Sequence, residues 1–195
     1  MILETIDFIE FYKNVEGIFA KHFSEQETVN IMEYVEVLSD ANFRCYRANM
    51  LVIESRKSST NPSSNFNLYK LIAEMEWVAR SVGEYRVASK ANINRYISNV
   101  KTINKVVEPE NWISDDIVYS VGEMIDRLSI ETIKREDFRV NNRPAHMAEA
   151  SQKLGDRVEK YLRAKLKEVD KKGFYECVHE QRTYDIENIL EELVI

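Results

Sequence analysis

The sharpest candidate for chemistry in this chain is the run Arg139-Val140-Asn141-Asn142-Arg143-Pro144-Ala145-His146. An imidazole titrates near neutral pH and can move a proton, while a guanidinium can stabilise charge developing on a phosphate. The plainer reading is a loop arginine and an early-helix histidine, both in water. Downstream, Lys153, Arg157, Lys160, Lys167 and Lys171 recur at three-, four- and seven-residue steps, which places them along one side of a helix. With Arg143 they would form a track of cations able to displace counterions from a phosphate backbone. Asp156, Glu159, Glu168 and Asp170 are interleaved with them, so a solvated amphipathic face accounts for the same pattern.

Other constellations are incomplete. Glu123-x-x-Asp126 offers two carboxylates on one helix face, but residues 67–106 hold no matching Glu-x-x-Glu to complete a Mg²⁺ site. Glu176-x-x-His179 and the reversed His146-x-x-Glu149 are halves of a di-iron pattern. The chain has only three histidines, with His22 the third, and no metal site is expected. There is no Gly-rich phosphate loop, no nucleophile elbow and no Cys-x-x-Cys, so no cofactor is implied. Cys45 and Cys177 lack metal-type spacing and read as small buried hydrophobes in a reducing compartment.

Two stretches carry a family resemblance. The Arg139…His146 spacing resembles the Arg-x(4–6)-His motif of HEPN-domain ribonucleases, small helical bundles that often dimerise to pair two such motifs. That resemblance implies metal-independent RNA cleavage, with His146 in proton transfer and Arg139 stabilising the phosphate. Val140 departs from it, standing where the family has a polar residue. The run from Gly122 to Lys134 (Gly122-Glu123-Met124-Ile125-Asp126-Arg127-Leu128-Ser129-Ile130) is similar to a segment of uncharacterised helical proteins of bacteria and phages. This implies no known chemistry and favours a bacterial or phage origin. Glu123-x-x-Asp126 also resembles half the signature of all-α nucleotide pyrophosphohydrolases of the MazG type, whose partner motif is missing here.

The elements that must position these residues are helices. Five Gly and three Pro in 195 residues leave long runs without a turn-former, and apolar residues recur at helical spacing. The fold expected is an all-α bundle of five or six helices in a single domain over 1–195. A first helix over about 4–21 would bury Ile6, Ile9, Val15, Ile18 and Phe19. Ser24 and Glu27 form a capping box that opens a helix to about Arg56, with Ile31, Leu38, Cys45 and Val52 seven apart. Asn42 and Asn49 form another column on it, either fixing register or lying on a solvated flank. A mobile loop at about 57–66 follows. The next helix, about 67–106, would bury Met75, Val78, Val82 and Tyr85, then Ile93, Ile97, Val100 and Ile103, with a kink or break at Gly83 or within Ser89–Asn94. Ser114 would cap a helix bearing Met124, Ile125, Leu128 and Ile133. After a loop over Arg139–Arg143, Pro144 would start a helix to Lys172, ended by Gly173, and a last helix would cover about 175–193.

Composition bounds the function. A hydrophobic content of 44% argues against disorder, and 31% charged residues with no apolar run of roughly 20 argue against a membrane span. The N-terminus shows no basic leader, so a cytoplasmic location is expected. Charge is segregated: residues 1–40 carry net −7, 134–172 net +5 and 173–195 net −5, within a total of −6. An acidic end could therefore dock on the basic segment, within a chain or between subunits. Helices 25–56 and 67–106 would each run roughly 45–60 Å. Rods of that length overhang a small core, so the expectation is a non-enzymatic helical interaction protein that self-associates or binds a protein partner in a structural, scaffolding or inhibitory role. The alternative is a nucleic-acid-binding, HEPN-like ribonuclease using residues 134–172.

Overall fold

A computed structural model describes residues 3–58, 66–101 and 120–172, all in helices and short connections: α1 (Ile9–Phe19), α2 (Glu25–Ser58), α3 (Phe66–Lys101), α4 (Val121–Val140) and α5 (Ala145–Lys172). No strand occurs among the described residues. The expected loop tip, the turn at Pro109, the cap at Ser114, the stop at Gly173, the last helix and the Glu176/His179 pair lie outside them.

α2 and α3 form the main antiparallel pair. Asn30 donates to the Tyr96 hydroxyl at 2.7 Å and the Tyr34 and Tyr96 rings stand 6.1 Å apart, at the end of the hairpin where α2 begins. α4 runs antiparallel to α3, and α5 returns along α4 after the turn at 141–144. α1 lies across α2 and beside α5, where the Asn14 amide donates to Glu159 at 2.7 Å. One apolar core joins all five helices, with Val15, Ile18 and Phe19 from α1, Ile31, Val35 and Leu38 from α2, Ile93 and Ile97 from α3, Met124, Ile125 and Ile133 from α4, and Leu162 and Leu166 from α5. Each such side chain contributes about 1.5–3 kcal/mol by leaving water.

The helix starts follow local chemistry. Ser24 and Glu27 exchange the expected capping bonds, the Ser24 N–H donating to Glu27 Oε2 at 2.8 Å. Those hydrogen bonds hold the Glu27 carboxyl below its ordinary value. α1 starts later than its apolar pattern predicts, because Asp7 Oδ1 accepts the Ile9 N–H at 2.8 Å and Phe8 turns into the core. The rotation leaves Ile9 59% exposed and buries Phe11 in its place. α4 begins at Val121 with a second capping box, Ser120 with Glu123. Asn94 on α3 reinforces it, accepting the Gly122 N–H at 2.8 Å and donating to Ser120 Oγ at 3.0 Å.

Two other differences from expectation bear on the candidate sites. α4 extends through Arg139 to Val140, so Arg139 is helical. It ends in a Schellman turn: Arg143 N–H donates to Phe138 O at 2.9 Å, and Asn142 takes a left-handed φ of 49°. Asn tolerates that conformation where most residues do not. Pro144 immediately precedes α5. α3 is one helix with no break at Gly83 or Ser89–Asn94. Of the polar residues there, Asn94 serves the α4 terminus and Ser89 is buried.

Candidate interaction surfaces

The cationic stripe lies on the outside of α5. Lys153, Arg157, Lys160 and Lys167 are all exposed, and His146 heads the same seven-residue column as Lys153, Lys160 and Lys167. Arg157 stacks over the Tyr161 ring at 5.6 Å and donates to its hydroxyl at 3.1 Å. Two acids of α5 are engaged beside the stripe. Asp156 accepts from Gln152 at 2.6 Å, and Glu159 is bound by Arg163 and Asn14. Burial would raise the Glu159 carboxyl, yet the hydrogen bonds from Asn14 and Arg163 hold it below its ordinary value. Arg143 is exposed in the turn before α5. The side chain of Lys171 is outside the described set.

Arg139 and His146 stand on different helices. Arg139 occupies the last turn of α4 and forks onto Glu136, with Nη2 at 2.6 Å from Oε1 and Nε at 2.9 Å from Oε2. His146 is exposed in the first turn of α5. The Schellman turn and Pro144 separate them, and the Arg139 guanidinium is committed to a carboxylate of its own helix.

The carboxylates singled out by spacing serve the fold. Glu123 closes the α4 capping box through Ser120 N–H at 2.8 Å. Asp126 is buried rather than on a polar face. It is gripped by Arg86 of α3 (Nη2–Oδ2 2.8 Å, Nε–Oδ1 3.2 Å), by the Asn42 amide at 2.9 Å and, more distantly, by Lys90 at 3.8 Å. Asn42 also donates to Ser129 Oγ at 2.5 Å. Of the two asparagines, Asn42 is buried and bonds across to α4, whereas Asn49 is exposed on a solvated flank. Glu131 is deeply buried too, held by Arg127 at 3.1 Å, Lys134 at 3.2 Å and the Ser151 hydroxyl at 2.6 Å. No group of three or more His, Cys, Asp or Glu side chains that could hold a metal occurs among the described residues.

A third polar group ties the chain's distant parts. Asp170 near the end of α5 meets His22 Nδ1 at 2.5 Å and Lys101 Nζ at 2.8 Å, and Lys101 also reaches the His22 carbonyl. Burial would raise the Asp170 carboxyl, but the bonds from His22 and Lys101 and the Lys101 charge bring it below its ordinary value. The unfolded chain therefore takes up this proton more readily than the folded one. The stabilisation is present above the ordinary carboxylate range and is lost as pH falls through the folded value. Asp170→Asn is expected to lower the urea midpoint at neutral pH, with the gap to wild type closing below about pH 4. A gap that is constant from neutral to acid would show that the charge contributes nothing.

The remaining feature was legible only in part. From Ile72 to Ala88 no described side chain of α3 is buried, whereas Ser89, Ile93, Asn94 and Ile97 all are. The first half of α3 thus adds no fully buried side chain to the core, although Ile72, Met75 and Val82 are half-buried. It carries Trp77 and Tyr85, each 68% exposed, together with exposed Val78 and Val87. Val78 and Tyr85 follow the apolar period and were expected inside. Trp77 lies among Glu74, Glu76, Arg80 and Glu84, off that stripe, and its placement in a charged run was the available signal. No helix of the described residues is long and apolar enough to cross a membrane. No protein-family model, curated protein or solved structure matches the chain.

Proposed function

We propose that this chain is a non-enzymatic interaction protein that works by presenting helix faces to another protein. The observation that carries the reading is the first half of α3, with Trp77, Val78, Tyr85 and Val87 in water. Large aromatic groups are costly to leave exposed and are the residue types that anchor protein contacts. The groups with catalytic potential support the same reading, since Asp126, Glu123, Glu131 and Arg139 are each engaged by neighbours. A structural, scaffolding or inhibitory role in a bacterium or phage fits this arrangement.

The test is site-specific photo-cross-linking in host cells. A photoreactive side chain replacing Trp77 or Tyr85 is expected to give a discrete protein adduct, while one replacing exposed Ala145 gives none. Equal labelling from all three positions would sink the reading.

A second reading is favoured by one observation, the exposed column of His146, Lys153, Lys160 and Lys167 on α5. It makes the chain an RNA-binding protein or a HEPN-like ribonuclease. RNA cleavage without added metal that is lost on His146→Ala, with helicity unchanged, would establish it. The interaction reading expects intact RNA with both proteins.

A further inference from the structure

We infer that the outer face of α5 on one copy of this chain docks on the outer face of α2 on another, so that copies associate head to tail. The inference rests on the reading of the chain as an interaction protein but uses a different pair of surfaces from the first half of α3. Its starting point is charge. Residues 1–40 carry net −7 and residues 134–172 net +5, and the fold leaves both excesses facing outward. On the first half of α2 the exposed acids are Glu25, Glu33, Glu36 and Asp40, the last also paired with exposed Arg44 at 2.8 Å. On α5 it is Lys153, Arg157, Lys160 and Lys167. Inside one chain, the contact of His22 with Asp170 that links these two regions involves none of these exposed side chains. Glu33 of α2 and Lys153, Lys160 and Lys167 of α5 stay exposed in the folded chain.

The two faces also match in spacing. Glu33 and Asp40 stand seven residues apart on α2, as do Lys153 and Lys160, and Lys160 and Lys167, on α5. Seven residues are two helical turns, about 10.5 Å, so two cations can meet two acids along paired helices. Between the α2 acids lie Val29, 46% exposed, and Val37, 54% exposed. On α5 the small exposed Ala164 sits between Lys160 and Lys167, which lets a facing helix approach. Charge arrays of this kind set partner and register, while the valines supply apolar contact. A contact between two different faces of the same chain is heterologous, so it builds a ring or a filament rather than a closed two-fold pair.

Nucleic acid is the competing occupant of the α5 face. It is disfavoured by the total charge of −6 and by an acidic surface on the same molecule, which would repel a polyanion.

Sedimentation velocity on the full chain decides. At low salt the weight-average mass of wild type is expected to rise with concentration to at least about twice 22.9 kDa, and to return to 22.9 kDa in molar salt, which screens exposed charges. The double variant Lys160→Glu with Lys167→Glu should stay at the monomer mass, and so should Glu33→Lys with Asp40→Lys. Mixing the two double variants should restore association, because each then offers the other an opposite charge on both faces. A monomeric wild type, association that survives either reversal, or a mixture that stays monomeric would each overturn the inference. So would binding of a single-stranded RNA that is lost in the α5 variant while wild-type mass stays at the monomer value. Cross-linking from position 77 is independent of all these charges, so its failure would count against the interaction reading alone.

Discussion

Gly122→Ala should destabilise the protein by about 3 kcal/mol, whereas Gly83→Ala should stabilise it by about 0.5–1 kcal/mol. Both glycines lie in helices, where replacing Gly by Ala removes backbone freedom from the unfolded chain and favours folding. The sign reverses at Gly122 because of what faces it. A Cβ there would stand 2.4 Å from the carbonyl oxygen of Lys90 and 3.0 Å from its carbonyl carbon, both backbone atoms of α3. A flexible side chain could step aside, but a carbonyl within a helix cannot move without its helix. α4 would have to retreat, pulling Gly122 N–H from Asn94 and Met124 and Ile125 from the core. At Gly83 nothing lies within 4 Å of the added methyl. Urea denaturation of the two variants beside wild type measures the difference. Equal shifts of the same sign would show that α3 and α4 do not approach as closely as described.

Arg86→Met should cost about 3–5 kcal/mol, the range found when one partner of a buried ion pair is removed. Asp126 would remain inside with the Asn42 amide, the Ser129 hydroxyl nearby and Lys90 at 3.8 Å, too few partners for a carboxylate whose side chain is 11% exposed. Asp126→Leu should be costly for the converse reason, leaving the guanidinium half-buried. Burial alone would lower the Arg86 guanidinium, and the Asp126 charge and hydrogen bonds raise it instead, which marks the strength of the pairing. The double variant Arg86→Met with Asp126→Leu should lie well above the sum of the single losses, since hydrophobic side chains of similar size can fill the site without desolvating charge. Denaturant midpoints of the four proteins give the coupling directly. Strict additivity would mean that the pair is not coupled in the folded state. One carboxylate is thus held at once by Asn42 of α2 and by Arg86 and Lys90 of α3.

What could be read from the sequence and what could not divides along the distance over which each cause acts. An all-α fold, the starts of α2 and α5 to within a residue or two, the Ser24–Glu27 box and the cationic side of α5 all depend on residues three, four or seven apart. Such pairs meet whenever a helix forms, whatever the helix then packs against. The same rule misplaced Tyr85 and Val78, because a periodic apolar stripe records which side of a helix faces a neighbour and not whether a neighbour reaches that far. Along the first half of α3 the stripe keeps Ile72, Met75 and Val82 half-buried and leaves Val78 and Tyr85 exposed. The late start of α1 also has a local cause, Asp7, but it competes with an apolar pattern that reads equally well from residue 4.

Asp126 illustrates the rest. Its sequence neighbours suggest a polar helix face, and only the approach of Arg86, forty positions earlier, and Asn42, eighty-four earlier, makes it a buried hub. Gly122 is an ordinary helix residue until Lys90 comes against it. Arg139 and His146, seven positions apart, are set on separate helices by the turn at Asn142. The chain alone thus determined helix formation and the sign of charge on each face, since both follow from local spacing. Which faces were covered, which charges were paired and which apolar groups stayed in water was decided by tertiary packing, since those depend on segments that sequence spacing does not bring together.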